Sequence, residues 1–161
     1  MTGREVRFRP VTAEDTEFLY TVYASTRTAE LAAVDWSESD KAAFLRAQFN
    51  TQHQAYQGSY PGADFLVILL RDRPIGRLYL ARGEREIRIV DIALLPEHRN
   101  AGIGGAILAD ILAEGARGDK RVSVHVEMFN PALSLYQRLG FRQREVRGVY
   151  YFMEWVAGTA A

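Results

Sequence analysis

The sequence predicts one α/β domain, a mixed central sheet flanked by helices, and three observations carry that prediction. Its 161 residues suit a single core, since a chain of that length removes about 70% of its unfolded surface from water. Short runs of β-branched and aromatic residues alternate along it with longer amphipathic stretches of helical period. One run, "EIRIVDIALL", is apolar on both faces apart from Arg88 and Asp91, which places it in the middle of a sheet covered on both sides.

The elements follow in order. "EVRFRP" alternates Val6 and Phe8 with charges and stops at Pro10, the pattern of an edge strand. "TAEDTEFLYTVYAST" reads as a helix with Thr12 as N-cap, Asp15 in the place of a capping-box acid, and Phe18, Leu19 and Val22 on its apolar face. "SESDKAAFLRAQFNTQHQAYQ" reads as a second helix capped by Ser37, with Phe44, Leu45 and Phe49 as its buried stripe. "DFLVILLRDRPIGRLYLARG" gives two strands joined at "RDRP" by a short hairpin turn, and "EIRIVDIALL" is the next strand. After "PEHRNAG" a helix runs from about Ile103 to Ala116, its Ile103, Ile107 and Ile111 spaced by four. "RVSVHVEMF" is a strand, "NPALSLYQRLG" a short helix, and "FRQREVRGVYYFMEW" a strand pair turned at Gly148. The domain is expected to span residues 1–156, with 157–161 as a loose tail.

Composition narrows the chemistry. Twenty basic and twenty acidic residues cancel, so no global field draws nucleic acid or an anionic membrane, and a bound anion must be met by a local site. The absence of cysteine excludes disulfides, thiolate metal sites and a cysteine nucleophile together, and no metal is expected. "MTGREVRFRP" has no apolar leader and no later apolar run reaches about 18 residues, so cytoplasmic residence is expected.

The stretch "PEHRNAGIGG", residues 96–105, is the local anion site to weigh. A strand, a glycine-rich turn and a helix gather unpaired backbone N–H groups at one point, where the helix dipole adds about half a positive charge. Glycine lets the backbone approach a phosphate with no Cβ in the way. A dinucleotide fingerprint would need glycine where Ile107 stands, and no GK[ST] follows for a triphosphate loop. A bare GxG is also compatible with a simple strand-to-helix connection.

Arg99, Gly102 and Gly104 resemble the R/Q-x-x-G-x-G/A signature of the Gcn5-related N-acetyltransferases, placed after a long central strand at the start of a helix. "NPALSLYQRLGF", residues 130–141, is similar to that family's later segment, an asparagine leading into a short helix with Leu-Tyr and a closing Gly-Phe. The two motifs and their strands cover residues 86–155. The resemblance implies a single-domain, mostly antiparallel sheet and acetyl-CoA as co-substrate. It places the pyrophosphate on the amides of Asn100, Ala101, Gly102, Ile103, Gly104 and Gly105, with Arg99 alongside. It lays the pantetheine arm against the central strand, with a polarising N–H among Ala93, Leu94 and Leu95, and makes Tyr136 the acid that protonates the leaving thiolate. Asn130 is implied at the coenzyme, although before Pro131 it also fits a helix cap.

A base must take the ammonium proton. The position that carries a glutamate base in the histone-modifying branch falls near Arg88, which cannot serve. Asp91, Glu127 and His125 are alternatives, of which Asp91 and Glu127 are preferred. In the family the first two helices form one wall of the acceptor site. Gln48, Gln52 and Tyr56, spaced by four, with His53, put polar groups beside an apolar stripe and become the acceptor-binding candidates. Tyr150 and Tyr151 are candidates for the other wall, pointing opposite ways. The expected function is direct acetyl transfer to a primary amine of a small molecule or amino acid. A protein or peptide acetyltransferase, acting on lysine or an N-terminus, and a non-catalytic acyl-CoA-binding module remain open, as does a homodimer.

Overall fold

The computed structural model describes residues 5–158. Strands β1 (Val6–Pro10), β2 (Asp64–Leu70), β3 (Arg73–Arg82), β4 (Glu86–Leu94), β5 (Arg121–Glu127), β6 (Arg142–Arg147) and β7 (Tyr150–Trp155) form one seven-stranded sheet. Its order is β1-β2-β3-β4-β5-β7-β6, antiparallel throughout except for β4 with β5. The helices are α1 (Thr16–Ser25), α2 (Thr28–Ala32), α3 (Glu38–Ser59), α4 (Ile103–Arg117) and α5 (Leu133–Arg138). The mixed, mostly antiparallel sheet is the expected one, and β1 lies at its edge. Of the expected tail, residues 159–161 lie outside the described residues. Among the described residues no helix is long and apolar enough to cross a membrane.

Local chemistry accounts for most boundaries. Thr12 opens a short 3-10 turn, Ala13–Asp15, before α1 begins. Ser37 Oγ accepts the Asp40 N–H at 3.1 Å and caps α3. The "RDRP" turn is a two-residue loop with Arg71 and Asp72 both at positive φ, the geometry that matches the twist of a hairpin. α2 was not expected: "TAELA" is too short to show a helical period. In α3 the stripe is narrower than the sequence implies. Phe49 is fully buried, whereas Phe44 is 40% exposed and stacks edge-on against Trp36.

The main core lies on one face of the sheet, where Ile103, Ile107, Leu108 and Ile111 of α4 pack on Ile87, Ile89, Val122 and Val124. On the other face α1 and α3 meet through Leu19, Tyr23 and Phe49. Asp15 pins the start of α1. Its carboxylate accepts two bonds from Arg9 at 2.8 Å and one from the Thr12 N–H at 2.7 Å, and the Arg9 hydrogen bonds pull its pKa from 3.8 to about 2. A depressed carboxylate contributes stability above its unfolded pKa and loses it as pH falls through the folded one. Asp15→Asn is therefore expected to lower stability by about 1 kcal/mol at neutral pH, discounted because Arg9 is partly exposed. In denaturant titrations that gap should close between pH 3.8 and about 2; a gap independent of pH would contradict the assignment.

Two departures from regularity in β4 shape the functional face. Tyr79 pairs with Asp91 and Leu80 with Ile89, so Val90 is an extra residue, a β-bulge. Ile87 and Ile89 point to the α4 core. Uninterrupted alternation would send Asp91 there too, and the extra residue turns it to the opposite face, beside Arg77 and Tyr79. Further along, β4 pairs with β5 only from Glu86–Arg121 to Ile89–Val124, and beyond that the two strands part. β3 is held close to this stretch. A Cβ at Gly76 would overlap the Ala93 carbonyl oxygen, so Gly76→Ala is expected to destabilise by about 2–3 kcal/mol through backbone displacement. Thermal melts read this directly, and an unchanged Tm would contradict the close approach.

Candidate active site

Where β4 and β5 part, a cavity of about 380 Å³ opens on the α1–α3 face, reached by Asp91, Glu127, Asn130 and Tyr136 among others. Its floor is a polar network built by the bulge. Arg77 Nη2 donates to Asp91 Oδ2 at 2.6 Å and to Gln52 Oε1 at 3.1 Å, and the Tyr56 hydroxyl donates to the same Asp91 oxygen at 3.1 Å. Arg77 is only 3% exposed. Its charge offsets that of the half-buried carboxylate, which is what allows both to sit below a cleft. Burial, and after it the charge of Asp91, raise the Tyr56 phenol above its ordinary value, so it remains a hydrogen-bond donor. Both of these bonds on Asp91 fall on Oδ2, and Asp91 lines the cavity.

Tyr136 enters from the other side. It sits on α5, 4% exposed, with its ring edge-on to Phe141 at 5.3 Å. Burial, with a further contribution from Asp91, raises its pKa, so the phenol is protonated at neutral pH. Glu127, at the end of β5, accepts a bond from Arg27 at 3.1 Å and is 36% exposed at its side chain. Next to it His125 also lines the cavity; burial, then Arg88 and Arg147, lower its pKa and keep it neutral at pH 7. Asn130 accepts the Ala132 N–H at 2.8 Å. It thus begins the turn into α5 while lining the cavity.

The glycine turn lies at the open end of β4. Gly102 stands at φ +84°, a left-handed conformation that other residues adopt with strain, and it is the residue from which α4 starts. The first helical bond runs from the Ala106 N–H to the Gly102 carbonyl at 3.0 Å, so the amides of Ile103, Gly104 and Gly105 belong to the free first turn. A Cβ at Gly104 would meet only Leu94 at 3.9 Å, and one at Gly105 only Leu135 at 3.8 Å. The protein itself thus has room for side chains at two positions where glycine weakens a helix by about 1 kcal/mol each. Open space beside free first-turn amides is what a bound anion requires.

The end of β4 leaves an amide unpaired in the same way. The Leu95 N–H is committed to the Ile75 carbonyl at 2.8 Å. By alternation the Ala93 amide also points to β3, and the Leu94 amide points into the gap left by β5. Of Ala93, Leu94 and Leu95, Leu94 is therefore the one with an amide free to polarise a carbonyl. Its own carbonyl accepts Arg99 Nε at 2.9 Å, and Arg99 Nη2 reaches Ser25 at 3.1 Å, so Arg99 ties the turn to α1.

The four acceptor-wall candidates separate. Gln52 and Tyr56 reach the large cavity. Gln48 accepts the Tyr23 hydroxyl at 3.1 Å and lines a second, adjoining cavity. His53 stacks on Phe49 with centroids 5.5 Å apart and lines neither. Tyr150 lines both, whereas Tyr151 packs against the α4 core, the opposition that alternation implies. Arg77, Tyr23 and Arg27 were not foreseen. A lone arginine in the strand "IGRLYL" was the available signal, since an interior strand admits a charge only with a partner.

The seven-stranded sheet thus parts at its one parallel pair, and a glycine-rich helix start follows the end of β4. Residues 61–143 match the acetyltransferase (GNAT) domain, and the chain belongs to that family. It is 38% identical over 80 residues to a mycothiol acetyltransferase from Clavibacter michiganensis subsp. michiganensis, a match covering 49% of this chain and 26% of that protein. The chain thus spans about a quarter of the length of that relative. Among solved structures it resembles PaiA N-acetyltransferase from Thermoplasma acidophilum in complex with coenzyme A, with TM-score 0.69, 20% identity, and coverage of 94% of this chain and 98% of the other. An acetyltransferase from Thermus thermophilus has TM-score 0.66 and 21% identity, over 96% and 98% of the two chains. At these identities the likeness is one of fold.

Proposed function

We propose that the protein is an N-acetyltransferase that moves the acetyl group of acetyl-CoA directly onto a primary amine of a small molecule or amino acid. The observation that supports this is the parting of β4 from β5 beyond Ile89, which opens a cavity lined by Asp91, Ala93 and Tyr136, leaves the neighbouring Leu94 amide without a strand partner, and is followed along the chain by the free first turn of α4. Acetyl-CoA, when bound, supplies the activated thioester carbonyl. The amides of Ile103, Gly104 and Gly105 and the α4 dipole hold its pyrophosphate. The Leu94 N–H donates to the carbonyl oxygen as negative charge gathers there. Glu127 receives the incoming ammonium at the cavity mouth, and Asp91 takes its proton on Oδ1, so that the neutral amine attacks. Tyr136 gives its phenolic proton to the departing sulfur, and the second proton lost from the nitrogen restores the phenol. Tyr56 and Arg77 hold Asp91 in place from below.

Thiol release from acetyl-CoA, followed across a panel of primary amines and peptide N-termini, tests the reading. Release that depends on a small amine is expected. Tight coenzyme binding with no release across the panel would instead mark a non-catalytic acyl-CoA-binding module, and release with peptides alone would move the acceptor class to protein.

A further inference from the structure

The large cavity continues past Glu127. A second cavity of about 290 Å³ shares Arg27, Glu127 and Tyr150 with it, and Leu31, Phe44, Leu45 and Val149 supply most of its remaining wall. These walls come from α2, the first half of α3 and the turn between β6 and β7. Eight large apolar side chains are exposed among the described residues. Three of them, Phe44, Val149 and Tyr150, line this cavity, and a fourth, Trp36, stacks on Phe44 with centroids 5.3 Å apart. Half of the exposed apolar side chains thus gather at one opening, which is what a surface awaiting an apolar ligand looks like.

Charge decides what accompanies the apolar group. Arg27 Nη1 pairs with Glu30 and with Glu127, each at 3.1 Å. One positive and two negative charges leave a net −1, enough for one ammonium and not for two. A free carboxylate would meet Glu30 and Glu127 and find the one cation between the two cavities already paired on both sides. Resting on the acetyltransferase reading, we propose that the acceptor is a monoamine carrying an apolar or aromatic group and no carboxylate, its ammonium at Glu127 and its apolar group in the second cavity. A group of leucine or phenylalanine size removed from water there raises kcat/KM by about 10- to 100-fold over a short amine.

The test compares kcat/KM for phenethylamine, ethylamine, spermidine, phenylalanine and phenylalaninamide, with coenzyme binding measured separately by calorimetry. Phenethylamine and phenylalaninamide are expected to exceed the other three by about tenfold or more. The double variant Phe44→Ser, Val149→Ser, both at exposed positions, should collapse the phenethylamine-to-ethylamine ratio by about tenfold, and Phe44→Leu should keep most of it. A ratio near one in the unaltered protein, a ratio unmoved by the double variant, or a preference for spermidine or phenylalanine overturns the acceptor class while leaving acetyl transfer standing. Bound coenzyme with no turnover of any amine overturns both.

Discussion

Tyr136→Phe is expected to lower kcat by about 100-fold or more while coenzyme affinity stays within about twofold. The substitution removes one oxygen and keeps the ring, so the edge-on contact with Phe141 and the packing of α5 survive. What disappears is the proton proposed for the leaving thiolate. Because burial raises the phenol's pKa above 10, the unaltered enzyme should show no alkaline loss of kcat attributable to this group up to that pH. A loss centred below 10 would assign the acid elsewhere, and a kcat within about twofold of the parent would remove Tyr136 from the proton path.

Gly104→Val should weaken coenzyme A binding by about 100-fold with no loss of thermal stability. The protein offers the new side chain ordinary contact with Leu94, at 3.9 Å from the Cβ position, and valine is a better helix former than glycine. The added methyl groups occupy the space in front of the first-turn amides, and displacing a charged diphosphate from several donors is worth a few kcal/mol. Calorimetric titration with coenzyme A reads the affinity and a melt reads the fold. A folded variant that retains affinity would refute the phosphate cradle, whereas an unfolded one would show that Gly104 is needed for packing.

The contrast between Gly104 and Gly76 illustrates what was legible in the sequence. Glycine beside a helix start signals an anion site, and the first-turn amides of α4 stand free in front of it. Glycine inside a strand gave no comparable signal, because its close neighbour, the Ala93 carbonyl, comes from a different strand. The helices and strands were readable because their apolar periods are long. α2, with five residues, was not.

The least legible feature was the one that builds the site floor. By alternation Arg88 and Asp91 fall on opposite faces of β4, and no pattern in "EIRIVDIALL" announces that Val90 is extra. With the bulge both charges line the same cavity, and Asp91 meets Arg77. A bulge is a property of two strands in register, so one strand's sequence does not contain it. The same limit separated Gln52 and Tyr56, which reach the network, from His53, which the helix turns onto Phe49. Asn130 is less divided, since one side chain both starts the α5 turn and forms part of the cavity wall.

Transfer of an acetyl group from sulfur to an amine nitrogen is the reaction proposed for this cleft. Incubating the protein with acetyl-CoA labelled in the acetyl group and with phenethylamine, ethylamine, spermidine, phenylalanine and phenylalaninamide together, then following the label by mass spectrometry, tests it in one step. The label is expected on an amine nitrogen, in proportion to coenzyme A released; label that stays on the coenzyme, or appears only as free acetate, would contradict acetyl transfer to nitrogen.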